Sequence, residues 1–157
     1  MPKRDEPDFA LLVTAAARAV ADGLLRAHAE AGFDWMRSQY GFVLRALGDE
    51  GLRLTQVARR LGISKQAALQ IVDEMERVEV VERRPDPADR RSKLIQVTAR
   101  GRRVRDTALR ASAQMERSLR RQLGTEAIDD CRAVLLRFLE EYGEDEDTRR
   151  GRARPVW

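Results

Sequence analysis

Cysteine and histidine are nearly missing from this sequence: Cys131 and His28 are the single examples among 157 residues. A lone cysteine excludes an intrachain disulfide framework and fits a reducing cytoplasm, where we expect the protein. No Cys or second His lies near His28, so we predict no metal site and place His28 at the surface or at a pocket edge. No apolar run approaches the ~20 residues of a membrane span, and no signal peptide is visible.

Recognisable catalytic motifs are also missing. The sequence has no glycine-rich phosphate loop, no HExxH and no GxSxG. Its adjacent acid pairs, Asp129-Asp130 and Glu140-Glu141, lie side by side on predicted helices and do not converge on a common point. We therefore predict a protein that is not an enzyme and that has no cofactor.

Aromatic residues make up only 5% of the chain, whereas charged residues make up 36%. This is a small apolar supply for two cores, so we expect long helices that bury their faces against a partner subunit. Charge is unevenly distributed: residues 55–105 hold 13 Lys and Arg against 7 Asp and Glu, and residues 125–147 hold 2 against 9. The basic segment suits DNA phosphates. The acidic segment should point away from DNA, or is simply a charge-rich surface.

The stretch from Leu52 to Val104 has the pattern of a helix, a tight turn, a second helix and a hairpin. Thr55 is the predicted N-cap of the first helix, and Gly62 suits the left-handed residue that ends it. Ser64 is the predicted N-cap of the second helix. The buried face of that helix recurs at three- and four-residue steps, at Ala68, Ile71, Val72, Met75 and Val78.

The opposite face of the second helix has Gln66 and Gln70, with Asp73 and Arg77 further along and Leu69 on the flank. Glutamine can pair with adenine, and an apolar side chain can touch a thymine methyl group. The helix N-terminus would bring Ser64, Lys65 and free N–H groups to phosphate. An ordinary surface helix with a solvated polar face fits the same pattern.

A basic hairpin should follow. Its predicted strands are Val80–Arg84 and Lys93–Thr98, and Pro85–Ser92 is predicted as a loop because proline cannot join a regular ladder. The arginines of the tip suit a narrow, negative minor groove, although a solvated turn is the alternative.

Helical periodicity extends on both sides of this unit. We predict helices over Phe9–Ala31, over Phe33–Leu47 with Asp34 or Ser38 as the start cap, over Ala99–Leu123, and from a Thr125 cap to Gly143, with a short strand at Leu52–Leu54. The last helix has the a/d spacing of a helix–helix seam. Its members are Ile128, Cys131, Leu135, Phe138 and Tyr142. Residues 1–8 and 144–157 are predicted as irregular or disordered tails.

Two motifs resemble a known family. Asp89-x-Arg91, five further residues and Val97-Thr98-x-x-Gly101 resemble the wing signature of the MarR (multiple antibiotic resistance regulator) family, which usually has Leu where this chain has Val97. Leu54-Thr55-x-x-Ala58-x-x-Leu61-Gly62 is similar to the first helix of that family's helix-turn-helix, and the resemblance covers Ser38 to Val104. It implies a mainly α fold with a small β-hairpin wing. The winged helix-turn-helix would span residues 37–99, and residues 1–36 and 100–143 would form a helical dimerisation region.

The resemblance implies a homodimeric regulator, most often a repressor, that binds double-stranded DNA at a pseudo-palindromic operator and is released by a small-molecule effector. A two-fold dimer would place its recognition helices about 34–36 Å apart. Gln66 and Gln70 would then read bases with help from Leu69, while Thr55, Ser64 and Lys65 hold phosphate. Arg90 would enter the minor groove, and Arg91 would pair with Asp89 to brace the loop.

Effectors of this family enter a cleft between the dimer helices and the DNA-binding lobe. By that resemblance the cleft would be lined by His28, Trp35, Met36 and Tyr40, with core packing as the alternative for these side chains. Cys131 lies on the seam and not near the first helix, where oxidation-sensing members have their cysteine, so we expect a small buried side chain. The alternative for the whole chain is an interaction module that keeps the winged-helix shape without reading DNA.

Overall fold

The computed structural model describes residues 7–143 and 146–149. The elements, in chain order, are α1 (Phe9–Glu30), α2 (Ser38–Leu47), β1 (Leu52–Arg53), α3 (Leu54–Leu61), α4 (Lys65–Arg77), β2 (Val81–Asp86), β3 (Asp89–Val97), α5 (Ala99–Leu123), α6 (Thr125–Tyr142) and the short α7 (Glu146–Arg149). The predicted tails lie outside the described residues, apart from Pro7, Asp8 and α7. No helix in the described part of the chain is long and apolar enough to cross a membrane.

The three strands form one antiparallel sheet in the order β1-β3-β2. Arg83 is paired with Ile95 and Pro85 with Lys93, and the register is irregular between Pro85 and Asp86. The predicted loop from Pro85 to Ser92 is therefore wrong, because only Pro87 and Ala88 form the turn. Proline is tolerated here because β2 is an edge strand, whose outer N–H groups need no ladder partner. The predicted short strand beside the wing is confirmed as β1.

Helix starts depart from the sequence prediction at three places. Helix α2 begins at Ser38, after an irregular segment in which the Phe33 N–H donates to the His28 carbonyl over 2.8 Å. Helix α3 begins before Thr55, and the Gln56 side chain accepts the Arg53 N–H over 2.8 Å, so Thr55 is not the N-cap. Thr125 is the first residue of α6 rather than its cap. In each case the N-cap residue lies one to three positions away from the polar residue that we expected to cap the helix.

The core lies beneath the helix-turn-helix and the wing. Fully buried side chains come from α2, α3, α4, the sheet and the start of α5; they include Val43, Leu44, Val57, Val72, Met75, Ile95 and Val104. Gly101, in the first turn of α5, has no room for a side chain, since a Cβ there would lie 2.1 Å from the Val80 carbonyl oxygen. The wing and α5 are thus packed as one unit.

The outer helices have large uncovered apolar surfaces. Helix α1 packs on α5 and α5 packs on α6, yet α6 has no buried residue. The large exposed apolar residues on these helices are Phe9, Leu11, Leu12, Val20, Leu109, Leu119, Leu123, Val134, Leu135, Leu136, Phe138 and Tyr142. Cys131 is exposed as well, so its predicted burial is wrong within one chain. The reason is that the seam of α6 has no partner inside the subunit.

Candidate nucleic-acid interface

Helix α4 projects from the core on a short turn. Gly62 adopts the left-handed conformation at φ +67°, and the Ile63 N–H donates back to the Ala58 carbonyl over 3.1 Å. The Ser64 hydroxyl then accepts the Ala67 N–H over 3.1 Å and caps α4, as the sequence predicted. This geometry leaves the first N–H groups of α4 free at an exposed end, where they can meet an anion.

The outward face of α4 is formed by the residues that the sequence analysis selected. Gln66, Leu69 and Gln70 are exposed, as are Ser64 and Lys65 at the helix start and Thr55 on α3. An exposed leucine between two exposed glutamines offers a base edge both hydrogen bonds and an apolar contact.

All three acidic side chains of α4 are held by arginines or a tyrosine from neighbouring elements. Arg83 of β2 binds Asp73 over 2.5 Å and also binds Glu76. Glu74 accepts the Tyr40 hydroxyl over 2.9 Å and the Arg37 guanidinium over 3.3 Å. Burial, followed by the Glu74 hydrogen bond, raises the pKa of Tyr40, so this hydroxyl stays a donor. The acids of α4 are thereby offset and its outward face is not negative.

The wing tip is braced by an arginine from β1. Arg53 Nε donates to the Asp86 carboxylate over 2.7 Å, and Arg53 Nη2 lies 3.8 Å from Asp89. The Ala88 N–H bond, followed by the Arg53 hydrogen bond, lowers the pKa of Asp86. Asp89 accepts the Ser92 hydroxyl over 2.7 Å and the Arg91 N–H over 3.1 Å. The predicted pairing of the Arg91 guanidinium with Asp89 is therefore wrong: Arg91 contributes its backbone, and Arg53 supplies the charge.

This bracing leaves the cations of the wing exposed. Arg90, Arg91 and Lys93 are exposed, and none of them has an ion pair within the described residues. Lys65 on α4 and Arg59 on α3 are likewise exposed and without ion pairs among the described residues. The helix-turn-helix and the wing thus have exposed cations without carboxylate partners among the described residues, and such charge can displace counterions from phosphates.

A cavity of about 410 Å³ lies behind the helix-turn-helix, between α1, α2 and α5. Its walls are mostly apolar, with Leu24 and Leu25 from α1, Phe42 from α2 and Leu109 from α5. Arg37, Arg45 and Arg105 also line it. No described lining residue is acidic.

Two of the four predicted effector residues line this cavity. His28 and Met36 do so, but Trp35 and Tyr40 do not. Trp35 packs its ring against Phe33 and lies under the Arg100 guanidinium at 5.3 Å, whereas the Tyr40 hydroxyl is tied to Glu74. Trp35, in the irregular segment before α2, thus contacts α5, and Tyr40, in the first turn of α2, contacts α4.

His28 is not a surface residue. It is 3% exposed, its Nδ1 lies 2.7 Å from the Leu24 carbonyl oxygen, and its Nε2 lies 3.1 Å from that of Val104. His28 therefore links α1 to the first turns of α5, beside the wing.

Comparisons with known proteins agree on one family. The family model described as "MarR family" matches residues 37–92. A MarR-family transcriptional regulator from Rhodococcus sp. RHA1 is 28% identical, covers 83% of this chain and 93% of its own, and superposes with a TM-score of 0.62. Residues 37–92 of this chain thus match the MarR family, as the sequence motifs indicated. No curated protein matches the sequence.

Two further MarR structures are similar to this chain. CouR from Rhodococcus jostii RHA1, bound to p-coumaroyl-CoA, is 28% identical over 83% of this chain and 91% of its own, with a TM-score of 0.59. The S. aureus MepR–DNA complex is 22% identical over 87% of this chain and 99% of its own, with a TM-score of 0.68, and supports the fold alone. The predicted MarR fold, mainly α with a small β wing, is thus confirmed.

Several charged residues with a structural role were not predicted from the sequence. Arg53 and Arg83 hold the wing, and Arg37 and Arg45 line the cavity. The partner of Arg53, Asp86, is 33 positions away in the sequence, and the partner of Arg37, Glu74, is 37 positions away. The spacing of arginines within one helix or strand gave no sign of such pairs.

Proposed function

We propose that this protein is a homodimeric, sequence-specific DNA-binding transcriptional regulator, a repressor released by a small molecule. The observation that supports this best is the outward face of α4, where Gln66, Leu69 and Gln70 are exposed and all three acids are paired elsewhere. The relatives MepR and CouR have been solved with DNA, CouR on a 23-mer duplex. The proposed target is a pseudo-palindromic duplex, and the proposed compartment is the cytoplasm.

The division of labour among DNA contacts follows from chemistry. Gln66 and Gln70 read base edges in the major groove with Leu69 beside them, because their amides can make paired hydrogen bonds. Thr55, Ser64 and Lys65 hold phosphates, and so does Arg91. Arg90 enters the minor groove at the wing tip. The winged helix-turn-helix at residues 37–99 is the DNA-binding unit.

Residues 1–36 and 100–143 are the proposed dimerisation region. Their large exposed apolar side chains form a patch of a kind that monomeric proteins seldom expose. A two-fold dimer buries this patch and sets the spacing of the two α4 helices to one turn of DNA.

The cavity between α1, α2 and α5 is the proposed effector site. It lies between the proposed dimerisation helices α1 and α5 and helix α2 of the winged helix-turn-helix domain, so a bound molecule can favour one spacing of the α4 helices over another. CouR has been solved with p-coumaroyl-CoA and MepR with ethidium bromide, which are chemically different ligands.

The alternative is an interaction module without DNA binding. Selection of duplexes from a random-sequence library by the purified protein separates the two. Enrichment of a pseudo-palindrome, with half-sites one helical turn apart, supports the regulator. Absence of any duplex binding at low salt would leave the interaction module.

A further inference from the structure

Arg37 belongs to two sites at once. Arg37 is one of the residues that line the cavity, and its guanidinium lies 3.3 Å from the Glu74 carboxylate of α4. Its side chain is 63% exposed, whereas that of Glu74 is 23% exposed. Arg37 is the N-cap residue of α2, after the irregular segment, and no side-chain bond fixes that cap. This charged group can therefore change partners at small cost.

Glu74 ties α4 to the rest of the subunit. It accepts hydrogen bonds from Tyr40, whose ring is buried, and from Arg37, whose guanidinium stands 5.9 Å from the centre of that ring. If the Arg37 guanidinium moved away, Glu74 would keep only the hydrogen bond from Tyr40 out of these two. The position of α4 relative to α2 thus depends in part on where the Arg37 guanidinium points.

The other two cavity arginines differ in their attachments. Arg105 is held by Asp49 over 2.7 Å and by the Gly48 carbonyl. Arg45 has no ion pair within the described residues and is exposed. With apolar walls and no acidic lining residue described, the cavity suits an apolar molecule that bears one anionic group.

We infer that Arg37 is a switch residue that an anionic group bound in the cavity draws away from Glu74, loosening the recognition helix α4. Arg45 holds the same anion but has no link to α4. Because Glu74 and the ligand compete for one guanidinium, ligand binding and the Arg37–Glu74 pair oppose each other. The effect on DNA rests on the proposed function; the competition for Arg37 does not.

The competition is tested on the full chain with two fluorescent probes. 1-Anilinonaphthalene-8-sulfonate is apolar with one sulfonate, and N-phenyl-1-naphthylamine is its neutral counterpart. Glu74→Gln should tighten sulfonate binding by up to about fivefold, the upper end for an exposed ion pair, and leave the neutral probe unaltered. In an Arg37→Gln background the same Glu74→Gln change should have no effect on either probe.

The inference is overturned if the sulfonate does not bind, if Glu74→Gln strengthens both probes equally, or if the gain persists without Arg37. Thermal melting checks that each variant is folded. Should Glu74→Gln fail to fold, Glu74→Asp shortens the side chain by one methylene and is expected to give the same selective gain.

The DNA arm uses a duplex selected by the parent protein. The sulfonate should weaken duplex binding, and the duplex should weaken sulfonate binding by the same factor. Arg37→Gln should abolish this coupling, whereas Arg45→Gln should weaken sulfonate binding and keep it. Coupling that survives Arg37→Gln, or is missing from the parent, overturns the switch. If no duplex binds the parent, the proposed function fails, while the two-probe comparison still decides the role of Arg37.

Discussion

Leu135 is the sharpest test of the proposed dimer seam. It lies in α6, which buries no residue within the subunit, and it is 40% exposed between Val134 and Leu136, which are also exposed. A two-fold interface contains Leu135 twice, once from each subunit. Leu135→Asp therefore places two carboxylates in the seam.

The cost can be worked from the exposed fraction. Full burial of a leucine is worth ~1.5–3 kcal/mol, so the exposed two-fifths is worth ~0.6–1.2 kcal/mol per side chain and about twice that per dimer. Desolvating each unpaired carboxylate adds several kcal/mol. We expect at least ~4 kcal/mol in total, which is about a thousandfold in the dimer Kd.

Sedimentation equilibrium over a dilution series measures that Kd. Arg137→Gln is the matched control, because it changes the net charge by the same amount at a side chain that is 76% exposed and paired only with Glu140 and Glu141 among the described residues. The control should dimerise like the parent. A Leu135→Asp protein that dimerises as tightly as the parent would place the seam elsewhere.

Two further predictions concern stability. Gly101→Ala should lower the free energy of unfolding by about 1–3 kcal/mol or more, because the new Cβ would clash with the Val80 carbonyl oxygen. Gly41→Ala in α2 is the control, because a Cβ there meets open space and should not lower the free energy of unfolding. Thermal melting compares the two variants. The hydrogen bonds from the Ala88 N–H and Arg53 depress the pKa of Asp86, so its contribution is present above the ordinary pKa near ~4 and is lost as pH falls through the lower folded value. The melting temperature of the parent should therefore fall more steeply below about pH 4 than that of Asp86→Asn; parallel curves would contradict the brace.

Local signals made the helix-turn-helix predictable. Gly62, in the left-handed conformation, and the N-cap Ser64 form hydrogen bonds with residues three or four positions away. A short stretch of sequence therefore contains the whole motif. The same holds for Gln66 and Gln70, whose exposure follows from the periodicity of α4.

The failures have a common cause in tertiary structure. Pro85 belongs to a strand because β2 lies at the sheet edge, which depends on where β1 pairs. The sequence placed His28 at the surface or at a pocket edge; it lines the cavity, and its burial depends on α5, where the Val104 carbonyl oxygen lies 3.1 Å from Nε2. The Arg37 and Arg53 pairs join elements that are distant in sequence, so no local pattern predicts them.

The central claim is that α4 reads sequence while the wing supplies mainly charge and shape contacts. A salt titration of duplex binding, on a selected operator and a scrambled duplex, tests it with Gln66→Ala, Gln70→Ala and Arg90→Ala. The glutamine variants should lose about 1–3 kcal/mol on the operator and almost nothing on the scrambled duplex. Arg90→Ala should weaken both duplexes and flatten the salt dependence by about one unit per site contacted. Equal losses on both duplexes for the glutamine variants would contradict the claim.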